Sequence, residues 1–227
     1  DEMEKYGFKK PHQVIANPLD IKLFTPSENK DKLKKKLNFS KFTLLYTGRL
    51  ASEKHIDLGI KAFARISKKV PGMDLVIAGR GAEEEALKKL AKELGVEQKV
   101  KFYGFLKSQK EFADIYKAAD LFIMMSTAET QSIAAMNAMA TGSPVVAAAS
   151  WGLKEYVTKD NGVLVEPNNL EDLTEKIYAL YKDNELYKKL SKGGIEFSKS
   201  LSIPAIGDIW ENTYNSVIKK HSIKQHR

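Results

Sequence analysis

Two cations lie on one loop of this 227-residue chain, directly after a short apolar run. Arg49 and Lys54 follow the run at 42–46, which predicts a buried strand leading into Gly48. A guanidinium can contact two phosphate oxygens at once and an ammonium adds a point charge, so the pair could bind a diphosphate. The alternative is ordinary surface charge beside the following helix, and this loop by itself favours neither reading.

Two better-known phosphate-binding loops do not fit the sequence. The segment 48–55 has the length of a Walker A loop, but Glu53 replaces its second glycine and His55 replaces its Mg²⁺-binding hydroxyl residue. The G-x-G at 79–81 follows the next predicted strand, yet Glu84 stands where a dinucleotide fingerprint has its third glycine. An ATPase and a dinucleotide-dependent dehydrogenase are therefore disfavoured.

Short apolar runs alternate with amphipathic stretches along the chain and must position these loops. Strands are predicted at 42–46, 73–78, 100–103, 120–125, 144–148 and 163–165, and helices at 56–70, 82–94, 108–118, 130–140 and from 170 onward. This alternation predicts an α/β fold, a Rossmann-like doubly wound parallel sheet. Ligands of such sheets bind outside the carboxyl ends of the strands, so the loops at Gly48, Gly79 and Ser126 are the places to search.

Composition excludes several other functions. The chain has no cysteine, which removes disulfides, thiolate metal sites and a cysteine nucleophile. Its longest apolar stretch is far shorter than the ~20 residues that span a bilayer, and it starts without a secretory pattern, so we expect a cytoplasmic protein. The formal net charge is +8, and the densest basic run, 30–41, predicts the solvated face of an amphipathic helix rather than an anionic-partner patch.

The segment 118–147 resembles the signature of the retaining nucleotide-sugar glycosyltransferases of the two-domain GT-B type. Further segments agree with that family in order and spacing, namely Asn17-Pro18, 48–50 with Lys54, 79–81, 102–105 and 161–165. The resemblance covers about residues 13–180 and implies a single GT-B C-terminal domain with extra C-terminal helices. It divides the chain into a lead-in or linker at 1–20, a donor-binding domain at 21–200 and a crossover helix at 201–227.

The resemblance also implies roles for individual residues. Catalytic roles fall on Arg49 and Lys54, which would hold the donor diphosphate in place of a metal ion, and on Glu129, which would contact hydroxyls of the transferred sugar. The remaining donor-binding positions are backbone near Gly48 and Gly81, the base-recognising strip at Phe105 and Leu106, the amides of Gln131, Ser132 and Ile133, and the ribose position Asn137.

Two of these positions carry an alternative or a departure. Ser126 and Glu129 also have the spacing of a helix capping box, in which Glu129 would only satisfy a helix terminus. Asn137 stands where the family has the second glutamate of its pair, so it lacks the charge-assisted hydrogen bond of a carboxylate. Either the ribose contact is weaker here or function has been lost.

The predicted function is that of the donor domain of a retaining, metal-independent glycosyltransferase that moves a hexose from a UDP- or GDP-sugar to an acceptor hydroxyl. The expected partners are the nucleotide-sugar and an N-terminal acceptor domain missing from this chain, and we expect no cofactor and no metal. The chain alone would then be inactive, and the longer protein could lie at the cytoplasmic face of a membrane. Three alternatives stay open: a non-catalytic nucleotide-binding or interaction module, a sugar-nucleotide epimerase or phosphorylase, and, least favoured, a nucleic-acid module.

Overall fold

Six strands form one parallel sheet in the computed structural model, which describes the backbone of residues 2–225 and the side chains of 4–219. The strands are β1 (Phe42–Thr47), β2 (Met73–Ala78), β3 (Val100–Gly104), β4 (Leu121–Met124), β5 (Val145–Ala148) and β6 (Gly162–Val165). Their order across the sheet is β3-β2-β1-β4-β5-β6, and every neighbouring pair is parallel. This is the strand order of a Rossmann-like doubly wound sheet, so the predicted fold class is confirmed.

The helices form two packed groups around the sheet. They are α1 (Glu2–Lys5), α2 (Lys30–Lys36), α3 (Ile56–Ile66), α4 (Glu84–Glu93), α5 (Gln109–Ala118), α6 (Ile133–Ala140), α7 (Leu153–Tyr156), α8 (Leu170–Lys182), α9 (Asn184–Ser200) and α10 (Ile203–Gln225). Helix α3 packs against α4 and α8, whereas α6 packs against α5 and α9. The central strands β1, β2, β4 and β5 are almost entirely buried, as expected for a parallel sheet covered on both faces, whereas the edge strands β3 and β6 are partly exposed.

Three predicted helices are shorter than the sequence pattern indicated. Helix α3 ends at Ile66 rather than at 70, because the amides of Lys69 and Val70 both turn back to the Ile66 carbonyl. Helix α4 begins at Glu84 rather than at 82, and the Glu83 amide instead donates to the Leu50 carbonyl, 3.1 Å away. Helix α6 begins at Ile133 rather than at 130, because Ser132 is the residue that caps it.

The sheet reverses its direction of growth between β1 and β4. Strand β1 pairs with β2 on one side and with β4 on the other, so the connections that leave β1 and β4 run to opposite sides. A crevice opens at such a switch point, outside the carboxyl ends of the strands. The loops after Thr47 and after Met124 form its walls.

The segment before the domain packs more closely than a linker would. Leu19 is only 2% exposed, its amide donates to the Leu201 carbonyl at 2.7 Å, and it forms a parallel bridge with Ser202. It belongs to a small apolar cluster with Met136, Leu201 and Ile206. Leu19 is therefore a core residue, contrary to the expectation that residues 1–20 lie outside the core, while the domain boundaries themselves stay a prediction.

The last helix leaves an apolar surface uncovered. The predicted crossover segment forms α10 through Gln225, and residues 226–227 lie outside the described part of the chain. Apolar residues recur along α10 and differ in exposure. Ile206 is buried, whereas five further residues are exposed, namely Ile209, Trp210, Tyr214, Val217 and Ile218. Across the described residues, α10 included, no helix has the length and apolarity needed to cross a bilayer.

The basic run at 30–41 is not uniformly solvated, which corrects the sequence expectation. Lys34, on α2, is 7% exposed; it forms an ion pair with Asp120 and donates to the Lys41 carbonyl at 2.6 Å. Lys30 also reaches Asp120, 3.0 Å away, and burial lowers the pKa of this lysine. The Asp120 carboxylate further accepts a hydrogen bond from the Thr43 amide at 2.7 Å, so these lysines fasten α2 to the amino ends of β1 and β4.

Candidate functional site

Glycines bring the loops after β1, β2 and β3 into direct backbone contact at the carboxyl edge of the sheet. The Gly48 amide donates to the Ala78 carbonyl at 3.0 Å, and the Gly79 amide donates to the Gly104 carbonyl at 2.8 Å. Gly79 has a φ of +146°, and a Cβ there would overlap the Gly48 carbonyl oxygen. Because only glycine permits this approach, the two loops form one rigid wall.

Gly81 serves the same packing and does not line a cavity. The Leu50 amide donates to the Arg80 carbonyl at 2.9 Å, and a Cβ at Gly81 would overlap the Leu50 carbonyl oxygen. Gly81 packs against the loop that carries Arg49. The donor contact that the resemblance implies for the Gly81 backbone stays a prediction.

The larger of two adjacent cavities at this edge has a volume of about 690 Å³. Its walls come from the ends of β1, β2 and β3 and from the start of α6. The predicted site residues that line it are Gly48, Arg49, Phe105, Leu106, Ile133 and Asn137. Phe105 is 70% exposed, so a large apolar ring stands free at the cavity's edge.

The smaller cavity, about 260 Å³, lies on the β4 side of the same crevice. The predicted residues that line it are Gly48, Arg49, Lys54, Glu129, Ser132 and Ile133. Five residues line both cavities, namely Thr47, Gly48, Arg49, Ile133 and Ala134. The two cavities are therefore neighbouring parts of one cleft, with Arg49 at their junction.

Lys54 and Glu129 form an ion pair across this cleft. The Lys54 Nζ lies 2.5 Å from Glu129 Oε1, and both side chains are mostly buried. The left-handed backbone of His55 (φ +46°) ends the 3₁₀ helix Ser52–Lys54 and starts α3, which turns the chain sharply after Lys54. On the opposite side, the Glu129 carbonyl accepts a hydrogen bond from the Gly152 amide at 3.0 Å. Both charged side chains are thus held by their loops.

The capping-box alternative for Glu129 is wrong. Helix α6 begins at Ile133, and its cap is Ser132, whose hydroxyl accepts from the Ala135 amide at 3.4 Å. The Ser126 hydroxyl instead accepts from the Ala128 amide within the loop, at 3.3 Å. Glu129 lies before the helix and turns its carboxylate to Lys54, so it is available for chemistry rather than bound to a helix terminus.

The Arg49 backbone is held by Tyr46, and its side chain is exposed to solvent. The Tyr46 hydroxyl donates to the Arg49 carbonyl at 2.9 Å, and burial raises the pKa of this tyrosine. The guanidinium is 72% exposed and lies 2.9 Å from the Glu53 carboxylate. The pKa of Glu53 is lowered, first by its own backbone N–H and then by Arg49. An exposed pair of this kind contributes little to stability, so an anionic ligand can compete for Arg49.

Asn137 lies at the floor of the larger cavity and is only 4% exposed. Its side chain hydrogen-bonds to the buried Tyr116 hydroxyl, which also contacts the Thr47 hydroxyl. Burial raises the pKa of Tyr116, so the phenol stays protonated. The position of the family's second glutamate is therefore a neutral, hydrogen-bonded floor in this chain.

Two cations of the larger cavity were not selected from the sequence. Arg80 and Lys107 line it together with Arg49, and no carboxylate residue is among its lining side chains. A signal for Arg80 was present, because it lies between Gly79 and Gly81 at the end of a predicted strand. The tripeptide 79–81 also carries the family resemblance, which implied a donor contact for Gly81 and none for Arg80. The larger cavity is therefore electropositive and suited to an anionic ligand.

Gln131 is the remaining predicted residue that lines neither cavity. Its side chain turns away from the cleft and hydrogen-bonds to Asn17, whose amide lies 2.8 Å from Gln131 Oε1.

Among the residues that the structure describes, no group of three or more histidine, aspartate or glutamate side chains is placed to hold a metal ion.

Comparison with known proteins identifies the class of this fold and site. The chain belongs to the glycosyl transferases group 1, whose family model matches residues 28–197. It is similar to the mannosylfructose-phosphate synthase of Agrobacterium fabrum, with 31% identity over 211 residues that cover 88% of this chain and 46% of that protein. The chain spans about half the length of the curated relatives it matches.

Solved structures agree with this membership. The C-terminal domain of a glycosyl transferase group 1 family protein from Francisella tularensis aligns with a TM-score of 0.75 at 25% identity, covering 82% of this chain and 99% of that chain. The Anabaena protein HepE in complex with UDP aligns at 0.82 with 27% identity, covering 90% of this chain and 57% of that chain. HepE has also been solved in complex with UDP-glucose. The predicted family and GT-B C-terminal domain fold are confirmed.

Proposed function

We propose that this chain is the donor-binding domain of a retaining, metal-independent glycosyltransferase that moves a hexose from a UDP- or GDP-sugar to an acceptor hydroxyl. One observation carries the proposal: Arg49 lies at the junction of two cavities, with the Lys54–Glu129 pair on one side and a carboxylate-free cavity on the other. A nucleotide-sugar has the same order of parts, with a diphosphate between a nucleoside and a sugar.

The larger cavity is assigned to the nucleoside. Its volume of about 690 Å³ lies within the ordinary range for small-molecule sites. The exposed Phe105 ring and the adjacent backbone offer a base an apolar face and hydrogen-bonding groups. Asn137 lies at the floor of this cavity. Its side-chain amide can donate a hydrogen bond to a ribose hydroxyl that replaces the Tyr116 hydroxyl as its partner.

The smaller cavity is assigned to the sugar and the outer phosphate. Glu129 accepts hydrogen bonds from sugar hydroxyls, and the amides at the start of α6, at Ser132 and Ile133, point a helix N-terminus toward negative charge. Lys54 is already within reach of both groups because it contacts Glu129 at 2.5 Å. This arrangement holds the sugar next to the phosphate from which it leaves.

Arg49 and Lys54 supply the catalytic electrostatics. When the bond between the anomeric carbon and the diphosphate oxygen breaks, the bonding electrons stay on the diphosphate. The acceptor oxygen bonds to the same carbon, and its proton passes to the departing diphosphate. The two cations stabilise that growing negative charge, and removing one such contact typically costs about 3 kcal/mol of barrier. Two cations beside the diphosphate would do the work that a metal ion does in other transferases.

We assign acceptor binding to the half of the relatives' length that this chain does not span. The exposed apolar residues of α10 lie where a further domain could pack, and they belong to the segment expected to cross back to an acceptor domain. We therefore expect this chain alone to bind nucleotide without transferring sugar. A cytoplasmic location, with the cytoplasmic face of a membrane for the longer protein, belongs to the same proposal.

Calorimetric titration of this chain with UDP and with GDP tests the proposal. We expect Arg49→Ala and Lys54→Ala each to weaken binding of the better nucleotide by about tenfold to a hundredfold, since hydrogen bonds to charged groups contribute about 1.5–3 kcal/mol. Arg65→Ala is the matched control, because Arg65 pairs with Glu171 on α8, outside both cavities. Unchanged affinity in both cleft variants contradicts the proposal.

The second candidate is a non-catalytic nucleotide-binding or interaction module. The observation that favours it is Asn137, which replaces a carboxylate by a neutral group at the cavity floor. Both candidates bind nucleotide, so nucleotide binding alone does not separate them. Asn137→Glu restores the carboxylate and does separate them.

A further inference from the structure

The loop that carries Glu129 has no regular secondary structure of its own. Strand β4 ends at Met124 and α6 begins at Ile133, so residues 125–132 are irregular. The backbone of such a loop needs hydrogen-bond partners elsewhere to hold one conformation. The position of Glu129 therefore depends on the residues that grip this loop from outside.

The first half of the loop is held by neighbours at the sheet edge. The Thr127 amide donates to the Glu53 carbonyl at 3.4 Å, and the Thr127 hydroxyl lies 3.3 Å from His55 Nε2. The Ser126 carbonyl accepts from the Ser150 hydroxyl at 2.9 Å. The Gly152 amide, after β5, donates to the Glu129 carbonyl at 3.0 Å, so the sheet edge holds the loop as far as Glu129, and Gln131 lies beyond these contacts.

The end of the loop is held by the lead-in segment, 114 residues away in sequence. The Asn17 amide and its side-chain Nδ2 both donate to Gln131 Oε1, at 2.8 and 2.9 Å. In return, Gln131 Nε2 donates to the Asn17 carbonyl at 3.2 Å. Gln131 Nε2 also donates to Met136 Sδ of α6 at 3.3 Å, so both polar atoms of the side chain are engaged away from the cleft, three of their four bonds being to Asn17.

The lead-in segment is itself anchored, so it can act as a fixed support. Two residues after Asn17, Leu19 is buried against Met136 of α6 and Ile206 of α10. The Leu19 amide also donates to the Leu201 carbonyl at 2.7 Å. Asn17 is therefore attached to the same helix, α6, whose first turn forms part of the cleft.

We propose that Gln131 is a positioning residue whose side chain, clamped by Asn17, fixes the loop that presents Glu129 to the donor sugar. The proposal rests on the proposed function, because it takes Glu129 as the sugar contact. It assigns the lead-in segment a part in sugar binding, although no lead-in residue lines either cavity. The Gln131 side chain lines neither cavity and acts through Thr130, the single residue between it and Glu129.

The structure orders the variants by the number of hydrogen bonds they remove. Gln131→Ala loses all three bonds to Asn17, whereas Asn17→Ala loses only the one made by Nδ2. The double variant loses nothing beyond Gln131→Ala, because the two side chains act as one unit. Asn29→Ala is the matched control, since Asn29 caps α2 with a similar side-chain bond far from the cleft.

The experiment is a calorimetric titration of each variant with UDP and with UDP-glucose, and in parallel with GDP and GDP-mannose. We expect Gln131→Ala to weaken binding of the better sugar nucleotide about fivefold or more and to change binding of the matching nucleotide by less than about twofold. Asn17→Ala should show a smaller loss of the same kind, the double variant should equal Gln131→Ala, and Asn29→Ala should change neither affinity. If Gln131→Ala does not fold, Gln131→Glu, which keeps the accepting oxygen and loses the donor, takes its place.

Three outcomes overturn the proposal. Equal losses for nucleotide and sugar nucleotide show a general structural role, and unchanged sugar-nucleotide binding shows that the clamp does not matter. A wild-type chain that gains no affinity from the sugar has no sugar contact to position, although its nucleotide binding still stands. A wild-type chain that binds neither UDP nor GDP overturns the proposed function itself, which is a separate and recognisable result.

Discussion

The two ends of the parallel sheet carry charge in opposite ways. At the amino end, the Asp120 carboxylate is contacted by Lys30, Lys34 and the Thr43 amide, and Lys34 is 7% exposed. At the carboxyl end, the Arg49 guanidinium is 72% exposed and its pair with Glu53 is open to water. Charge that is buried and fully paired serves the fold, whereas charge left exposed along a cleft is available to a ligand.

The Lys54–Glu129 pair lies between these extremes. Its side chains are 16% and 14% exposed, yet they line a cavity rather than the core. Burial alone therefore does not separate structural from functional charge. The better distinction is whether a pair faces an open cavity in which a ligand can replace one partner.

The largest effect that tests this comparison is expected at the amino end. Asp120→Ala should lower the free energy of unfolding by about 3–5 kcal/mol, because Lys34 would remain buried without its counter-ion. Chemical denaturation measures this loss. Asp120→Asn, which keeps an oxygen for the Thr43 amide, should lose less, and its folded form should bind nucleotide as the wild type does. A loss below about 1 kcal/mol in Asp120→Ala would break the comparison.

An intermediate effect is expected from a carboxylate placed at the carboxyl end. Asn137→Glu should strengthen nucleotide binding about fivefold, since a charge-assisted hydrogen bond to ribose is about twice as strong as a neutral one. It should also lower the free energy of unfolding by about 1–2 kcal/mol, because the new carboxylate enters a site that is 4% exposed. Calorimetry and denaturation measure the two quantities.

Asn137→Gln separates charge from length in that experiment, because it has the length of glutamate without the charge. A gain shared by both variants would show that reach rather than charge matters. No gain in Asn137→Glu favours the non-catalytic module over the transferase donor domain.

The smallest expected effect is that of salt. Between about 0.1 M and 1 M NaCl the Debye length falls from ~10 to ~3 Å, so exposed charges are screened while buried pairs are screened much less. We expect nucleotide affinity to fall about fivefold over this range. The stability difference between the wild type and Asp120→Asn should change by less than about 0.5 kcal/mol. A nucleotide affinity that does not change with salt, together with a stability difference that does, would contradict the assignment of the two ends of the sheet.

Much of the fold could be predicted from the chain alone. Apolar runs such as 75–78 and 145–148 are short and continuous, and each has a glycine or proline at one end, which distinguishes buried parallel strands from helices. Helix starts were less predictable. The Ser126 and Glu129 spacing satisfied a capping rule, yet Ser132 is the cap that α6 uses. Several polar residues in one stretch can satisfy the same local rule, and only packing selects among them.

The candidate site was predicted in part. Arg49, Lys54 and Glu129 line one cleft, and Phe105 and Asn137 line its larger cavity, while the roles that the resemblance implies for them stay predictions. Gly81 and the Gln131 side chain do not line the cleft, because each is committed to a backbone or side-chain partner behind it. The sequence could not distinguish a residue that faces a ligand from one that supports the loop next to it.

The sequence by itself determined the alternation of strands and helices, the glycines of the tight loops and the presence of cations after β1. These are properties of near neighbours, set by backbone conformation and hydrophobic periodicity. Only the tertiary structure decided that Lys54 meets Glu129 across 75 residues, that Gln131 is clamped by Asn17 and that Lys34 is buried. These contacts depend on the order β3-β2-β1-β4-β5-β6, which places β4 beside β1 and so brings distant loops to one edge of the sheet.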